Sequence, residues 1–214
     1  MIDYHSHILP YIDDGSDSPK TSVKMLKLLK SQGVDTCFLT PHFYIQDGSI
    51  DDFLRRRDES LKKLKLALSK EDMSLVPEIK VGAEVYYYEG ITVNQDLWKL
   101  KLEDTKILLL EMPPIKWTNR MIDDLITLSR SSSTYIILAH IERYKRNLKE
   151  ENIKKLVDSG IRFQVNASLF KSFFGRRFFK KYEKYIDLIG SDSHDMKDRK
   201  PNYNLIPKEL RDND

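Results

Sequence analysis

The chain begins Met1-Ile2-Asp3-Tyr4-His5-Ser6-His7, and this stretch determines how the remaining segments are read. Ile2, Tyr4 and Ser6 alternate with Asp3, His5 and His7. As a β-strand the segment therefore puts both histidines on one face. Two neutral imidazoles two residues apart at a strand end can chelate one metal ion. A lone H-x-H motif is weak evidence, so the question is whether the fold brings further ligands to the same place.

The rest of the 214-residue chain alternates apolar strands with amphipathic helices. Strands are expected near Val34–Thr40, Ile79–Ala83, Ile107–Leu110, Tyr135–Ala139, Ile161–Val165 and Ile186–Gly190, seven with the first. Helices are expected from Ser18-Pro19 to Gly33, from a cap at Asp51 or Asp52 to about Leu68, around Asn94–Leu100, and over Asn119–Arg130, Glu151–Ser159 and Leu169–Tyr182. Such alternation predicts an α/β fold with a parallel sheet, closed as one barrel-like domain over residues 1–214.

Composition narrows the function. The chain is 40% apolar and 32% charged with a formal net charge of +3, too mild to predict nucleic acid as the main partner. No apolar run approaches about 18 residues, so neither a membrane span nor a secretory signal is expected. The one cysteine, Cys37, sits in a predicted buried strand, which suits a reducing cytoplasm. A cysteine-dependent phosphatase needs C-x5-R, but the residue six beyond Cys37 is Phe43.

All five histidines, His5, His7, His42, His140 and His194, fall at or just beyond the C-terminal ends of predicted strands, as do Glu84, Glu111 and Asp192. In a parallel barrel those ends open on one face, where active sites are built. Eight ligands exceed the roughly three that one catalytic zinc takes, which predicts a cluster of two or three ions. A mixed nitrogen and oxygen shell suits Mn, Fe or Zn. Such a cluster lowers the pKa of bound water and clamps the oxygens of a phosphoryl group. Arg143 and Arg199 follow His140 and His194 closely, and their planar donor forks match a phosphate; the alternative for each is a surface ion pair with Glu142 or Asp198. Asp14 and Asp195 either handle a proton or form turns, and Asp14-Gly15 favours the turn. Phe43 and Tyr44 either flank a substrate ring or pack in the core. The basic, aromatic stretch 171–182 is expected to bury its phenylalanines, with docking to anionic lipid or a membrane-tethered kinase tail as the other reading.

Six ordered motifs carry a family resemblance: MIDYHSHILPYIDDG (1–15), LTPHF (39–43), GAEVY (82–86), LLLEMP (108–113), AHIERY (139–144) and IGSDSHDMKDRKP (189–201). Together they resemble the bacterial manganese-dependent protein-tyrosine phosphatases of capsule synthesis, within the polymerase and histidinol phosphatase (PHP) superfamily. The resemblance implies a distorted seven-stranded (β/α) barrel and a trinuclear metal centre. It also implies dephosphorylation of a tyrosine autokinase that controls polysaccharide export. It assigns the ligands to His5, His7, His42, Glu84, Glu111, His140, Asp192 and His194, and phosphate binding to Arg143 and Arg199. Ile141 stands where the family has proline, and Lys200 interrupts the family's Arg-Pro-Pro. The rival readings are a PHP phosphoesterase acting on a small ester such as histidinol phosphate, a nuclease, and a metal-loaded module without catalysis.

Overall fold

In the computed structural model, residues 1–131, 134–145 and 149–211 are described. The first strand, β1 (Ile2–Ser6), pairs in parallel with β2 (Thr36–Leu39), and β2 pairs with β4 (Glu78–Val81). A second parallel sheet follows in the order β3 (His42–Phe43), β5 (Glu84–Tyr86), β6 (Ile107–Glu111), β7 (Tyr135–Leu138), β8 (Arg162–Asn166) and β9 (Ile186–Gly190). Two of the seven predicted strands, β2 and β4, are thus each followed by a further short strand, β3 or β5, that lies in the other sheet.

The breaks have local causes. Pro41 has no N–H to give to a ladder. Thr40 turns back instead, its N–H donating to the Ser6 carbonyl at 2.8 Å. Gly82 breaks the other strand where Leu102 crosses it; a Cβ there would lie 2.5 Å from Leu102 Cδ2. The chain resumes in register across the second sheet, with His42 opposite Glu84. The two sheets meet again where β1 passes the exit of β9. There the His7 N–H donates to Ser193 O at 2.9 Å and the Asp192 N–H to His5 O at 2.8 Å.

The helices cover the sheets with the faces that the periodicity predicts. Helix α1 (Pro19–Ser31) begins at Ser18, whose hydroxyl caps Thr21 N–H, and buries Val23, Met25, Leu26 and Leu29. Helix α2 (Ile50–Leu68) is capped by Ser49, not by the aspartates expected, because Ser49 Oγ accepts from Asp52 N–H at 3.1 Å. The segment near Asn94–Leu100 forms only short 3-10 turns. Helices α3 (Asn119–Ser131) and α4 (Glu150–Asp158) match expectation within a residue. The predicted helix from Leu169 to Tyr182 is two pieces, a 3-10 turn (Ala167–Lys171) and α5 (Phe173–Tyr182). Ser172 is extended between them and caps α5 through Gly175 N–H. Cys37 is fully buried, and burial pushes its thiol well up, as befits a core residue. Among the described residues no helix is long and apolar enough to cross a membrane.

One tyrosine ties the first and last strands together. The buried Tyr203 hydroxyl lies 2.8 Å from Ile2 O and 2.6 Å from Ile189 O. Tyr203→Phe leaves both carbonyls without that donor and is expected to cost about 1 kcal/mol, lowering the melting temperature by about 2–4 °C for a chain of this size. Thermal unfolding followed by circular dichroism measures it, and an unshifted midpoint assigns the tie to packing alone.

Candidate metal centre

Glu84 opens β5 with no exposure to solvent, and imidazoles surround its carboxylate. Oε2 lies 3.2 Å from His5 Nε2, 3.3 Å from His7 Nε2 and 3.0 Å from His42 Nδ1, while Oε1 lies 2.9 Å from His140 Nε2. Glu111, at the end of β6, adds contacts of 3.6 Å to His42 Nδ1 and 3.3 Å to His140 Nε2. Asp192 stands 3.6 Å from His7 and from His194. All eight predicted ligands therefore converge. Six sit at or beyond strand exits as expected. His42 and Glu84 instead open short strands, because Pro41 and Gly82 stop β2 and β4 before them.

The backbone pays attention to close approach on both sides of His5 and His7. A Cβ on Gly190 would come 2.4 Å from His5 Cβ, and one on Gly15 would come 2.1 Å from His7 O. Only glycine lets β9 and the loop after β1 lie this close. His140 (φ 34°) and Asp192 (φ 51°) both hold left-handed backbone that costs a non-glycine residue roughly 1–2 kcal/mol. Strain falls on two of the converging donors.

Four of the five histidine rings are aimed by a partner on Nδ1. His5 Nδ1 lies 3.2 Å from Gln164 Oε1, His7 Nδ1 2.8 Å from Asp13 Oδ2, His140 Nδ1 3.3 Å from the Tyr144 hydroxyl, and His194 Nδ1 3.0 Å from the Asp192 carbonyl. Placing the proton on Nδ1 leaves four Nε2 lone pairs facing inward, the arrangement that metal-ligating histidines adopt. His42 is the exception, with Nδ1 toward Glu84 and Nε2 3.5 Å from Asp14 Oδ1. Glu84 Oε2, His42 Nδ1 and His194 Nε2 are all buried without a hydrogen bond of good geometry. Lone pairs converging without shared protons fit a cation.

The histidines themselves supply positive charge to the buried carboxylates. Burial opposes ionisation of Glu84, yet the surrounding histidines, His5 foremost, hold its carboxyl well below the usual range. Asp192 is likewise held low against burial, by His5 and Arg143. Burial pushes the His140 imidazolium down, but Glu111 and Glu84 outweigh it and raise its pKa to about 9. For His7 the same opposition is won by Asp13 and Glu84. Glu84 and Asp192 are thus held as carboxylates by the positive groups that surround them. Three overlapping groups have ligand atoms mutually within 4.8 Å: His5, His7 and Glu84; His42, Glu84 and Glu111; and His7, Asp14, His42 and His194.

Asp14 is accordingly part of the cluster, and the expectation of a simple turn residue is corrected. Its Oδ1 lies 3.4 Å from His194 Nε2, and that contact above all keeps its carboxyl ionised. Asp195 is the turn residue, accepting from Lys197 N–H at 2.6 Å and Arg199 N–H at 3.0 Å. Sequence reasoning missed Asp13, which also accepts from Gly15 and His42 N–H. It also missed Gln164 and Asn166, whose spacing of two along a buried strand was the available signal. Gln164 donates to Asn166 at 3.0 Å, and Asn166 donates to Asp192 at 2.8 Å.

Arg143 and Arg199 pair neither with Glu142 nor with Asp198. Both reach Asp192, Arg143 through Oδ2 and Arg199 through Oδ1 at 2.9 Å, and Arg199 also lies 3.5 Å from Asp14. Both side chains remain about 40% exposed at the mouth of the cluster. Phe43 is core, packed edge-on against Phe53, whereas Tyr44 lies between His42 and Tyr86, its ring tilted to both at separations of 5.2 and 5.3 Å.

The family model described as "Capsular polysaccharide synthesis, CpsB/CapC" matches residues 1–210. Tyrosine-protein phosphatase YwqE of Bacillus subtilis is 30% identical over 210 residues, covering 93% of this chain and 79% of that protein. Tyrosine-protein phosphatase CpsB of Streptococcus pneumoniae is 28% identical, covering 97% and 90%. A solved structure from work on those two proteins, described as unique metal-dependent tyrosine phosphatases, superposes with a TM-score of 0.79 at 26% identity, over 96% of this chain and 84% of that one. A Listeria monocytogenes structure described as a proposed histidinol phosphatase shares the fold alone, with a TM-score of 0.51 at 14% identity over 91% and 95%. The chain belongs to the CpsB/CapC family of capsular polysaccharide synthesis.

Proposed function

We propose that this chain is a metal-dependent protein-tyrosine phosphatase acting on a phosphotyrosine-bearing bacterial tyrosine autokinase in the cytoplasm. The observation that carries the reading is the convergence of five imidazoles and three carboxylates in one cluster, with two arginines meeting on Asp192 at its edge. The two sheets are read as one distorted (β/α)7 barrel of PHP type spanning residues 1–214. The proposed ligands are His5, His7, His42, Glu84, Glu111, His140, Asp192 and His194, joined by Asp14. They would hold up to three ions, manganese by preference and iron or zinc otherwise. When bound, the metal supplies Lewis acidity toward the phosphoryl group and activates water.

The chain's own residues do the remainder. Two guanidinium forks that meet on the two oxygens of Asp192 are spaced to meet on two oxygens of a phosphate. Tyr44 and Tyr86, half-buried beside His42 and Glu111, offer aromatic faces to the ring of a tyrosyl ester. The phenolate leaving group has a pKa of about 10, so departure asks little of a proton donor. Asp14, 3.4 Å from His194 Nε2 and 3.5 Å from Arg199, links the cluster to the arginine fork. Asp13 holds the His7 ring in position.

The decisive comparison is turnover on a phosphotyrosine peptide and on histidinol phosphate, before and after chelation and manganese reloading. Preference for the peptide is expected, with activity lost on chelation; faster turnover of histidinol phosphate defeats the reading. Arg143→Ala should lower peptide turnover by about tenfold or more while metal content stays constant. Glu84→Gln should lower metal content itself, with affinity falling by at least about 100-fold, measured by elemental analysis of the dialysed protein. Asp13→Asn should weaken metal binding by about 10- to 100-fold through the aim of His7 and the backbone of His42; full affinity in that variant removes Asp13 from the site.

A further inference from the structure

We infer that α5 is a docking face for an anionic lipid bilayer. The reading stands apart from the catalytic proposal, because none of its residues touches the metal centre. Burial of the phenylalanines in 171–182 is only half realised. Gly175 is buried and Phe178, Phe179 and Tyr182 are partly covered, but Phe173 is 74% and Phe174 77% exposed. The cause is Ser172, whose extended backbone restarts the helix and turns the first two rings outward.

The outward stripe of α5 is otherwise cationic. Arg176, Arg177, Lys180 and Lys181 surround Phe173, and from Ser159 to Tyr182 the sequence contains no acidic residue. Lys181 pairs with Glu150 at 2.6 Å, and Arg176 Nε donates to Phe170 O. Arg177 and Lys180 make no ion pair among the described residues. Two exposed phenylalanine rings standing edge-to-face, beside the unpaired cations of Arg177 and Lys180, match the chemistry of the headgroup boundary. Rings enter the acyl edge while the cations meet phosphate. A second copy of the chain fits badly, since a symmetric contact would set these cations against their own copies. The helix follows β8, whose last residue Asn166 reaches Asp192, so α5 starts on the ligand-bearing end of the sheet.

The test is co-sedimentation of the full chain with vesicles of phosphatidylcholine alone or mixed with phosphatidylglycerol, at low and high salt. Binding to the mixed vesicles, weak binding to the neutral ones and loss of binding in salt are expected. The double variants Phe173→Ser/Phe174→Ser and Arg177→Glu/Lys180→Glu should each reduce partitioning by about tenfold or more. Unchanged circular dichroism and melting temperature show that they fold. Equal partitioning to both vesicle types overturns the inference, as does wild-type binding by both variants. So does a dimer in sedimentation velocity that Phe173→Ser/Phe174→Ser dissolves.

Discussion

A carboxylate removed from water is among the costlier groups to bury, and Glu84 is tolerable only because four imidazoles crowd its two oxygens. That single requirement orders the site. His5 and His7 must arrive from β1 and its exit and His140 from beyond β7, each presenting Nε2, while His42 comes from a short strand and presents Nδ1. The partners of the rings, Gln164, Asp13 and Tyr144, are in turn fixed by backbone groups. Tyr144 accepts from Met112 N–H and Gln164 from His140 N–H. Orientation therefore propagates outward from one buried charge.

The two arginines are organised by the same economy. Asp192 is strained, nearly buried, and shared between Arg143 and Arg199, with Asn166 donating to the oxygen that Arg143 also approaches. A fork on each side of one carboxylate defines an anion-sized space at the edge of the histidine cluster. The Asp195 turn holds Arg199 there through backbone hydrogen bonds, so Lys200, the departure from the family pattern, leaves the fork in place.

Strand exits were legible because their signals are local: a buried apolar run ending in a histidine or carboxylate needs no tertiary knowledge to be read. The divided strands were less so. A proline and a glycine inside apolar runs mark a break, but only the packing of Leu102 and the register of His42 with Glu84 show where the halves go. Asp13 and Asp14 adjoin in a turn sequence, and their opposite assignments depend on a loop folding back over β1, which Gly15 permits. In α5 the helical spacing of the phenylalanines was real, yet one extended serine changed the phase and reversed the facing of two rings.

The division into two sheets has a mechanical side. His5 belongs to the smaller sheet and His7 follows it directly, whereas His42, Glu84, Glu111 and His140 come from the larger one or its loops. Divalent ions shared among them would rivet one sheet to the other across the fault left by Pro41 and Gly82. Catalytic competence and resistance to shear along that fault would then rise and fall with the same occupancy.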